Sequence, residues 1–412
     1  MKIYFSGLGG VAIGPLAQIA QDSGHTVIGS DRAPNLMTNE LEARGITVSY
    51  DQSGAFLRST KDIDWFVYTA ALPNDHPELL AARELGVKIS KRDELLAHIV
   101  KEHNLTLLAV AGTHGKTTTS GTLTWALQQL GIPVSYSIGT TLTWGPSGKF
   151  DPQAKYFVYE CDEFDRNFLN FNPAVSLITS IEYDHPDTYP TENDYKAAFR
   201  QFIDQSSASI LWHNDARYID LENESSWILG SDETIVTRLV GAHNRRNATL
   251  VLKTLERLSI GSPQERIDTL ESFPSTDRRF EKLADNLYTD YGHTPSEIAA
   301  TLQMAREIND HVTLVYQPHQ NVRQHLIRAQ YIDTIFADAT EVYWLPTYLS
   351  REDETLETLT PKQLTEQLDH TKLHIADIDD ALLATIQKAR ANNSLVLVMG
   401  AGSIDSWIRS KI

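Results

Sequence analysis

A chain of 412 residues, 41% hydrophobic and 22% charged, exceeds what one hydrophobic core sustains, so two or three soluble domains are expected. Its formal net charge of −18 argues against broad nucleic-acid or membrane-surface binding, yet leaves local phosphate sites at loops and helix ends open. The lone Cys161 rules out an intramolecular disulfide, and no apolar run reaches signal-peptide or membrane-spanning length, so a cytoplasmic protein without membrane insertion is expected.

Strand-like and helix-like segments alternate from the start. Lys2 to Phe5 reads as a strand, followed by a glycine loop and a helix over Pro15 to Gly24. His25 to Asp31 and Asp64 to Ala70 read as further strands, and the helical Pro77 to Gly86 closes on a glycine, the usual stop signal. Such alternation predicts βαβ units and a parallel sheet. In GLGGVAIG, Gly7 and Gly9 lie between strand and helix, Ala12 takes the third glycine position, and Asp31 ends the next strand. This is nearly a dinucleotide fingerprint, in which glycines let the backbone approach a diphosphate at a helix N-terminus. It fits a dinucleotide or another diphosphate equally, and a plain strand-to-helix turn also satisfies it.

A second unit opens with the buried-strand pattern Leu105 to Val110, then a glycine loop and a helix carrying Leu123, Leu127 and Leu130 on one face, ended by Gly131. Tyr156 to Glu160 and Ala174 to Glu182 supply more strands. After the helical NATLVLKTLERLSIG, a third unit begins near Arg278 and holds strands at Val312 to Gln317, Glu341 to Pro346 and Ser394 to Gly402. The polar SREDETLETLTPKQ between the last two reads as loop giving way to helix. The expected fold class is α/β in three domains, with boundaries near Glu102 and Ser275.

The loop VAGTHGKTTTSG resembles a phosphate-binding loop with a shortened lead-in: only Thr113 and His114 separate Gly112 from Gly115. Its phosphate-facing end is complete. Backbone N–H groups at Gly115 and Lys116 can wrap phosphate oxygens, Lys116 adds charge, and the Thr117 hydroxyl is placed for Mg²⁺. ATP binding is the inference. Beyond the next two strands stand acids, Glu160, Asp162, Glu163 and Asp165, then Glu182 and Asp184 with His185. Ligands of open α/β sheets lie past the carboxyl ends of strands, so both groups can converge on the phosphates. Glu160, closing its strand directly, is the better metal candidate; His185 is a metal ligand, a phosphate contact or a capping residue. Cys161, among acids that disfavour a thiolate, reads as structural.

AGTHGKTTT, YECDEFD, IEYDHPDTY, GAHNRRNA, DRRF, DYGHTPSE and QPHQNVR follow one another as they do in the Mur ligases of peptidoglycan synthesis, which the chain resembles over nearly its whole length. The resemblance implies a Rossmann-like N-terminal UDP-sugar domain (residues 1–102), a central P-loop ATPase domain (103–274) and a Rossmann-like C-terminal parallel-sheet domain for the amino acid (275–412). It implies an ATP- and Mg²⁺-dependent, amide-forming enzyme, a monomer or homodimer, that adds L-alanine to UDP-N-acetylmuramate through an acyl phosphate. The alternative within the family is a murein-tripeptide ligase of cell-wall recycling. An NAD-dependent oxidoreductase would leave the second loop and its acids unexplained.

Carried over by resemblance, Gly112, Thr113, His114, Gly115, Lys116, Thr117 and Thr118 hold the nucleotide phosphates, and Thr117, Glu160 and His185 the metal. His243, Asn244 and Asn247 line the adenine pocket. Arg279, or its neighbour Arg278, reaches the nucleotide, as do Asp290 and Tyr291. His293 and Arg323 are substrate-side groups, and Gly7, Gly9, Gly10, Val11, Asp31, Thr69 and Ala70 serve the UDP-sugar. Two departures stand out. Gln320 replaces an arginine usual in the alanine-adding enzymes, leaving the carboxylate to Arg323. Phe164 and Tyr183 put aromatics where those enzymes carry small residues or proline, as the tripeptide ligase does.

Overall fold

Branched and aromatic runs, several of them separated by helices that end on glycine, build three sheets. The structure, a computed structural model, describes residues 1–69, 72–221, 225–235, 237–350 and 352–412. The first sheet takes β1 (Lys2–Ser6), β2 (Thr26–Ser30), β3 (Thr47–Ser49), β4 (Trp65–Tyr68) and β5 (Lys88–Lys91) in the order β3-β2-β1-β4-β5, all parallel. The chain leaves β1 towards β2 on one side, and β4 lies on the other. The carboxyl end of β1 is therefore a topological switch point, where an open sheet leaves a crevice.

The second sheet holds β6 (Thr106–Ala111), β7 (Val134–Ser137), β8 (Gly148–Lys149), β9 (Tyr156–Glu160), β10 (Val175–Ile178), β11 (Ser209–Trp212) and β12 (Ser226–Leu229). Its order is β12-β11-β10-β6-β9-β7-β8, with only the edge strand β8 antiparallel. Central β6 is buried over five of its six residues, as expected of a parallel strand covered on both faces. Its neighbours β9 and β10 end beside it, so the loops after all three meet. The predicted strand over Ala174 to Glu182 stops at Ile178. Beyond it, Thr179 N–H still donates to the Ala111 carbonyl at the end of β6, while the Thr179 and Ser180 hydroxyls turn to the loop that follows β6.

The third sheet comprises β13 (Glu281–Ala284), β14 (Leu287–Asp290), β15 (Val312–Tyr316), β16 (Glu341–Trp344), β17 (Leu373–Ile375) and β18 (Leu395–Met399), ordered β13-β14-β18-β15-β16-β17. Only the β13–β14 hairpin is antiparallel. The fully buried LVLVM of β18 lies between β14 and β15.

The chain divides into two units, one of Met1–Thr234 with Asn247–Pro274, the other of Ile235–Arg246 with Ser275–Ile412. The first two sheets share a unit because they share a core: Phe5 and Leu96 belong to the same apolar cluster as Phe157 and Phe199. A buried polar contact adds to it, with the Tyr159 hydroxyl donating to Asp93. Cys161 is fully buried, and burial pushes its thiol well above the ordinary range, which agrees with a structural role. Among the described residues no helix is long and apolar enough to cross a membrane.

Gly29 in β2 shows how closely the first sheet is packed. A Cβ there would overlap the Phe5 carbonyl and lie 2.9 Å from Leu8. Gly29→Ala is expected to cost about 1–3 kcal/mol, as overpacking does, and to lower the thermal unfolding midpoint measured by circular dichroism.

Candidate functional site

The loop after β6 takes its form from two glycines. Gly112 has φ +134° and Gly115 φ +83°, backbone that glycine adopts without the Cβ penalty. A Cβ on Gly112 would overlap Thr179 and Ser180, and one on Gly115 would meet the Asn247 side chain at 2.9 Å. The residues after β10 hold the loop in place. Thr113 N–H donates to the Ser180 carbonyl at 2.9 Å, His114 N–H to Ser180 Oγ at 3.0 Å, and Thr179 Oγ1 to the His114 carbonyl. The helix Lys116–Gln129 follows with Gly115 as its N-cap, so its first N–H groups lack intrahelical partners just past the carboxyl end of β6.

Lys116 opens that helix, and its ammonium donates to the Gly112 carbonyl at 2.6 Å, the Thr113 carbonyl at 3.3 Å and Glu163 Oε2 at 2.7 Å. Burial works to deprotonate Lys116, but the Glu163 and Asp162 carboxylates outweigh it, and its pKa is raised. Glu163 is fully buried; burial pushes its carboxyl up, against the pull of Lys116. The direction that governs the pair at neutral pH is that of Lys116, which keeps its proton.

Thr117 Oγ1 donates to Glu160 Oε1 at 2.7 Å, and Glu160 Oε2 accepts the Gly139 N–H at 2.8 Å. Of the three predicted metal residues, Thr117 and Glu160 thus meet directly. His185 lies in a second group, its Nε2 3.8 Å from Glu163 Oε1 and its ring edge-on to Phe164 at 5.2 Å. Ligand atoms of Asp162, Glu163 and His185 all fall within 4.8 Å of one another. Glu163 Oε1 is buried and makes no hydrogen bond among the described residues. An orphaned carboxylate oxygen beside hard oxygen donors is chemistry that suits a divalent cation. Asp162 and Glu163 stood in the acid run, but no sequence signal distinguished the acid that faces Lys116. Thr179, Ser180 and the contact of Asn247 with Gly115 carried no motif.

The predicted adenine segment falls on both sides of the division between units: Asn247 belongs to the first, His243 and Asn244 to the second. Asn244 donates to the Val240 carbonyl at 3.0 Å. His243 Nδ1 has no hydrogen-bond partner among the described residues, and burial followed by Arg245 pushes its pKa down to about 4.

In the first sheet, the loop after β1 closes on β2. Gly7 and Leu8 N–H donate to the Ser30 carbonyl at 2.9 and 3.0 Å, Gly10 N–H to the Gly7 carbonyl at 3.0 Å, and Gly9 N–H to Asp31 Oδ2 at 2.6 Å. Val11 is 80% exposed, and Thr69 stands beside Gly7. Ala70 lies outside the described residues.

In the second unit, Asp290 spends both carboxylate oxygens on the backbone, accepting Gly292 N–H at 2.7 Å and Phe280 N–H at 2.8 Å. Arg278 and Arg279 lie over the Tyr291 ring at 4.7 and 5.3 Å, and Arg278 also reaches the Gly400 carbonyl and Asp405. The His293 ring packs edge-on to Tyr291 and His319. Burial, opposed by Glu297 and aided by Arg323, lowers the His293 pKa, so its imidazole is neutral at neutral pH. Arg323 sits on the helix Asn321–Ile327, and Gln320 precedes that helix with φ +60°.

The chain matches three family descriptions in order: "Mur ligase family, catalytic domain" over residues 2–104, "Mur ligase middle domain" over 110–229 and "Mur ligase, glutamate ligase domain" over 278–402. It is 30% identical to a UDP-N-acetylmuramate–L-alanine ligase of Gloeobacter violaceus, covering 98% of this chain and 94% of the relative. Identity is also 30% to the enzyme of that name from Carboxydothermus hydrogenoformans, over 98% and 95%. Among solved structures it resembles the UDP-N-acetylmuramate-alanine ligase of Thermotoga maritima (TM-score 0.76, 23% identity, 100% and 98% covered). It also resembles a murein peptide ligase of Psychrobacter arcticus (TM-score 0.64, 20% identity, 100% and 98% covered).

Burial lowers the pKa of His243 to about 4 and that of His293 below its ordinary value. Below pH 6.5 the unfolded chain therefore binds protons that these imidazoles refuse, in the case of His243 down to about pH 4, and stability falls as the pH drops through that window. Thermal unfolding across it is expected to show this loss, and His243→Gln to remove part of it.

Proposed function

Since the chain belongs to the Mur ligase family, we propose that it joins L-alanine to UDP-N-acetylmuramate with ATP as the activating co-substrate. One observation supports this above the others: Lys116, Thr117, Glu160, Glu163 and His185 converge past the ends of β6, β9 and β10, in a chain whose relatives bear that activity in their names.

A carboxylate is a poor electrophile until it carries a leaving group. The muramate carboxylate oxygen attacks the γ-phosphorus of ATP, the bond to ADP breaks, and an acyl phosphate forms. The amine nitrogen of L-alanine then attacks the acyl carbon, and the tetrahedral intermediate expels inorganic phosphate to leave the amide. Phosphoryl transfer asks mainly for positioning and charge neutralisation. Lys116, held protonated by Glu163 and Asp162, supplies positive charge. Gly112, Thr113, His114, Gly115 and Thr118 frame the phosphates. Thr117, Glu160 and His185, with Asp162 and Glu163 beside them, would hold Mg²⁺, whose contribution when bound is to neutralise phosphate charge.

In this reading residues 1–102 take the UDP-sugar, on Gly7, Gly9, Gly10, Val11, Asp31 and Thr69. Residues 103–274 take ATP, with Asn247, His243 and Asn244 at the adenine and Arg279, Asp290 and Tyr291 serving the nucleotide. Residues 275–412 take the amino acid. The neutral imidazole of His293 can accept a proton from the incoming ammonium, and Arg323 holds its carboxylate. A tripeptide is the rival amine, favoured by Phe164 packed on His185 and by Tyr183, whose hydroxyl donates to the Tyr189 carbonyl.

ADP release is expected to require both UDP-N-acetylmuramate and an amine. Among L-alanine, glycine, L-serine and the tripeptide, L-alanine should give the highest kcat/KM; turnover with the tripeptide alone would select the rival, and none with any amine would reject both. Lys116→Ala should lower kcat by roughly 10²–10³-fold or more while calorimetry finds UDP-N-acetylmuramate binding unchanged.

A further inference from the structure

Glu78 is a fully buried carboxylate whose partners among the described residues are three hydroxyls and no cation. Its Oε1 accepts the Tyr4 hydroxyl at 2.6 Å; its Oε2 accepts Ser6 Oγ at 2.5 Å and Ser30 Oγ at 2.8 Å. Burial, then the Glu78 charge, pushes the Tyr4 phenol well above its ordinary pKa, so Tyr4 keeps its proton and donates. Glu78 itself sits in the first turn of the helix Pro77–Glu84, where free backbone N–H groups favour a negative charge.

What the carboxylate touches sets its role. Ser6 and Ser30 are the last residues of β1 and β2 and stand opposite each other in register. The glycine loop leaves from Ser6 and folds back on Ser30, whose carbonyl receives the Gly7 and Leu8 N–H groups. Asp31, the residue after Ser30, accepts the Gly9 N–H. One carboxylate oxygen thus ties together both strand ends from which the loop and its acidic partner depart. An apolar side chain would fill this interior position without the desolvation cost of a carboxylate; what the carboxylate adds is a fixed spacing.

We propose that Glu78 is a positioning residue for the UDP-sugar, setting the glycine loop and Asp31 through Ser6 and Ser30. The proposal rests on the assignment of residues 7–11 to the UDP-sugar given under Proposed function. Glu78 touches no substrate itself; it acts through the backbone that does.

The test is steady-state kinetics, calorimetry and thermal unfolding of the full chain as wild type, as Glu78→Gln and as the Ser6→Ala/Ser30→Ala double variant. The expected result is a rise of about tenfold in the KM and Kd for UDP-N-acetylmuramate, with kcat at saturating sugar and the KM values for ATP and L-alanine within about twofold. A merely structural role would lower the unfolding midpoint and the active fraction without singling out the sugar, and that pattern overturns the proposal. So does an unchanged sugar KM in a folded variant. If Glu78→Gln does not fold, the double variant, which keeps the carboxylate and removes two of its donors, decides alone. Wild-type protein that fails to bind UDP-N-acetylmuramate overturns the assignment of residues 7–11 and the proposal with it; binding by the wild type that both variants retain overturns only the role of Glu78.

Discussion

The ammonium of Lys116 stands among the carboxylates of Glu163, Asp162 and Glu160, and the edge of the central sheet is organised around it. It bonds back to the loop that precedes it through the Gly112 and Thr113 carbonyls, and across the sheet to Glu163. A buried ion pair contributes little net stability, because desolvating two charges offsets most of their attraction. What the pair does here is fix the position and the charge of the lysine. The lysine keeps a fixed place and a fixed charge, and the acids that balance it are those suited to a cation.

Each sheet offers a version of the same solution at its carboxyl edge. After β1 a glycine loop folds back on Ser30 and Asp31; after β6 one folds back on Thr179 and Ser180. After β14 the loop is held by Asp290, which accepts backbone N–H groups from both directions. In the first two cases groups at a neighbouring strand end consume part of the loop's hydrogen-bonding capacity, and in the third the last residue of the strand itself does so. That is how short, glycine-containing segments become preorganised.

Some of the non-glycine residues with positive φ stand at the same places. Asp165, Arg166 and His185 have positive φ beside the acid cluster, and Arg278, Phe280 and Gln320 have it in the second unit. Non-glycine residues in this region carry a conformational cost and persist only where surroundings overdetermine them. Lys91 pairs with Asp165, and Arg166 lies over the Tyr189 ring at 5.2 Å. Gln320 N–H donates to the Tyr348 carbonyl at 2.9 Å, fixing the residue that precedes the helix Asn321–Ile327.

The α/β class and the position of the two N-terminal glycine loops were legible in the sequence, because both follow from local rules. Continuous apolar runs such as LTLLAV and SLVLVMGAG mark strands covered on both faces, and glycine followed by a helix start marks where backbone can approach a phosphate. The clustering of Lys116, Thr117 and the acids past the strand ends was legible for the same reason. Tertiary structure alone decided which acid faces Lys116, that His185 groups with Asp162 and Glu163 while Thr117 meets Glu160, and that the Thr179 and Ser180 hydroxyls, just past β10, brace the loop. It alone brought Glu78 beneath Ser6 and Ser30. The periods of helix and strand fix which residues share a face within one element. Which side chain meets which across elements depends on strand order and crossovers, and these are settled only when the whole sheet packs.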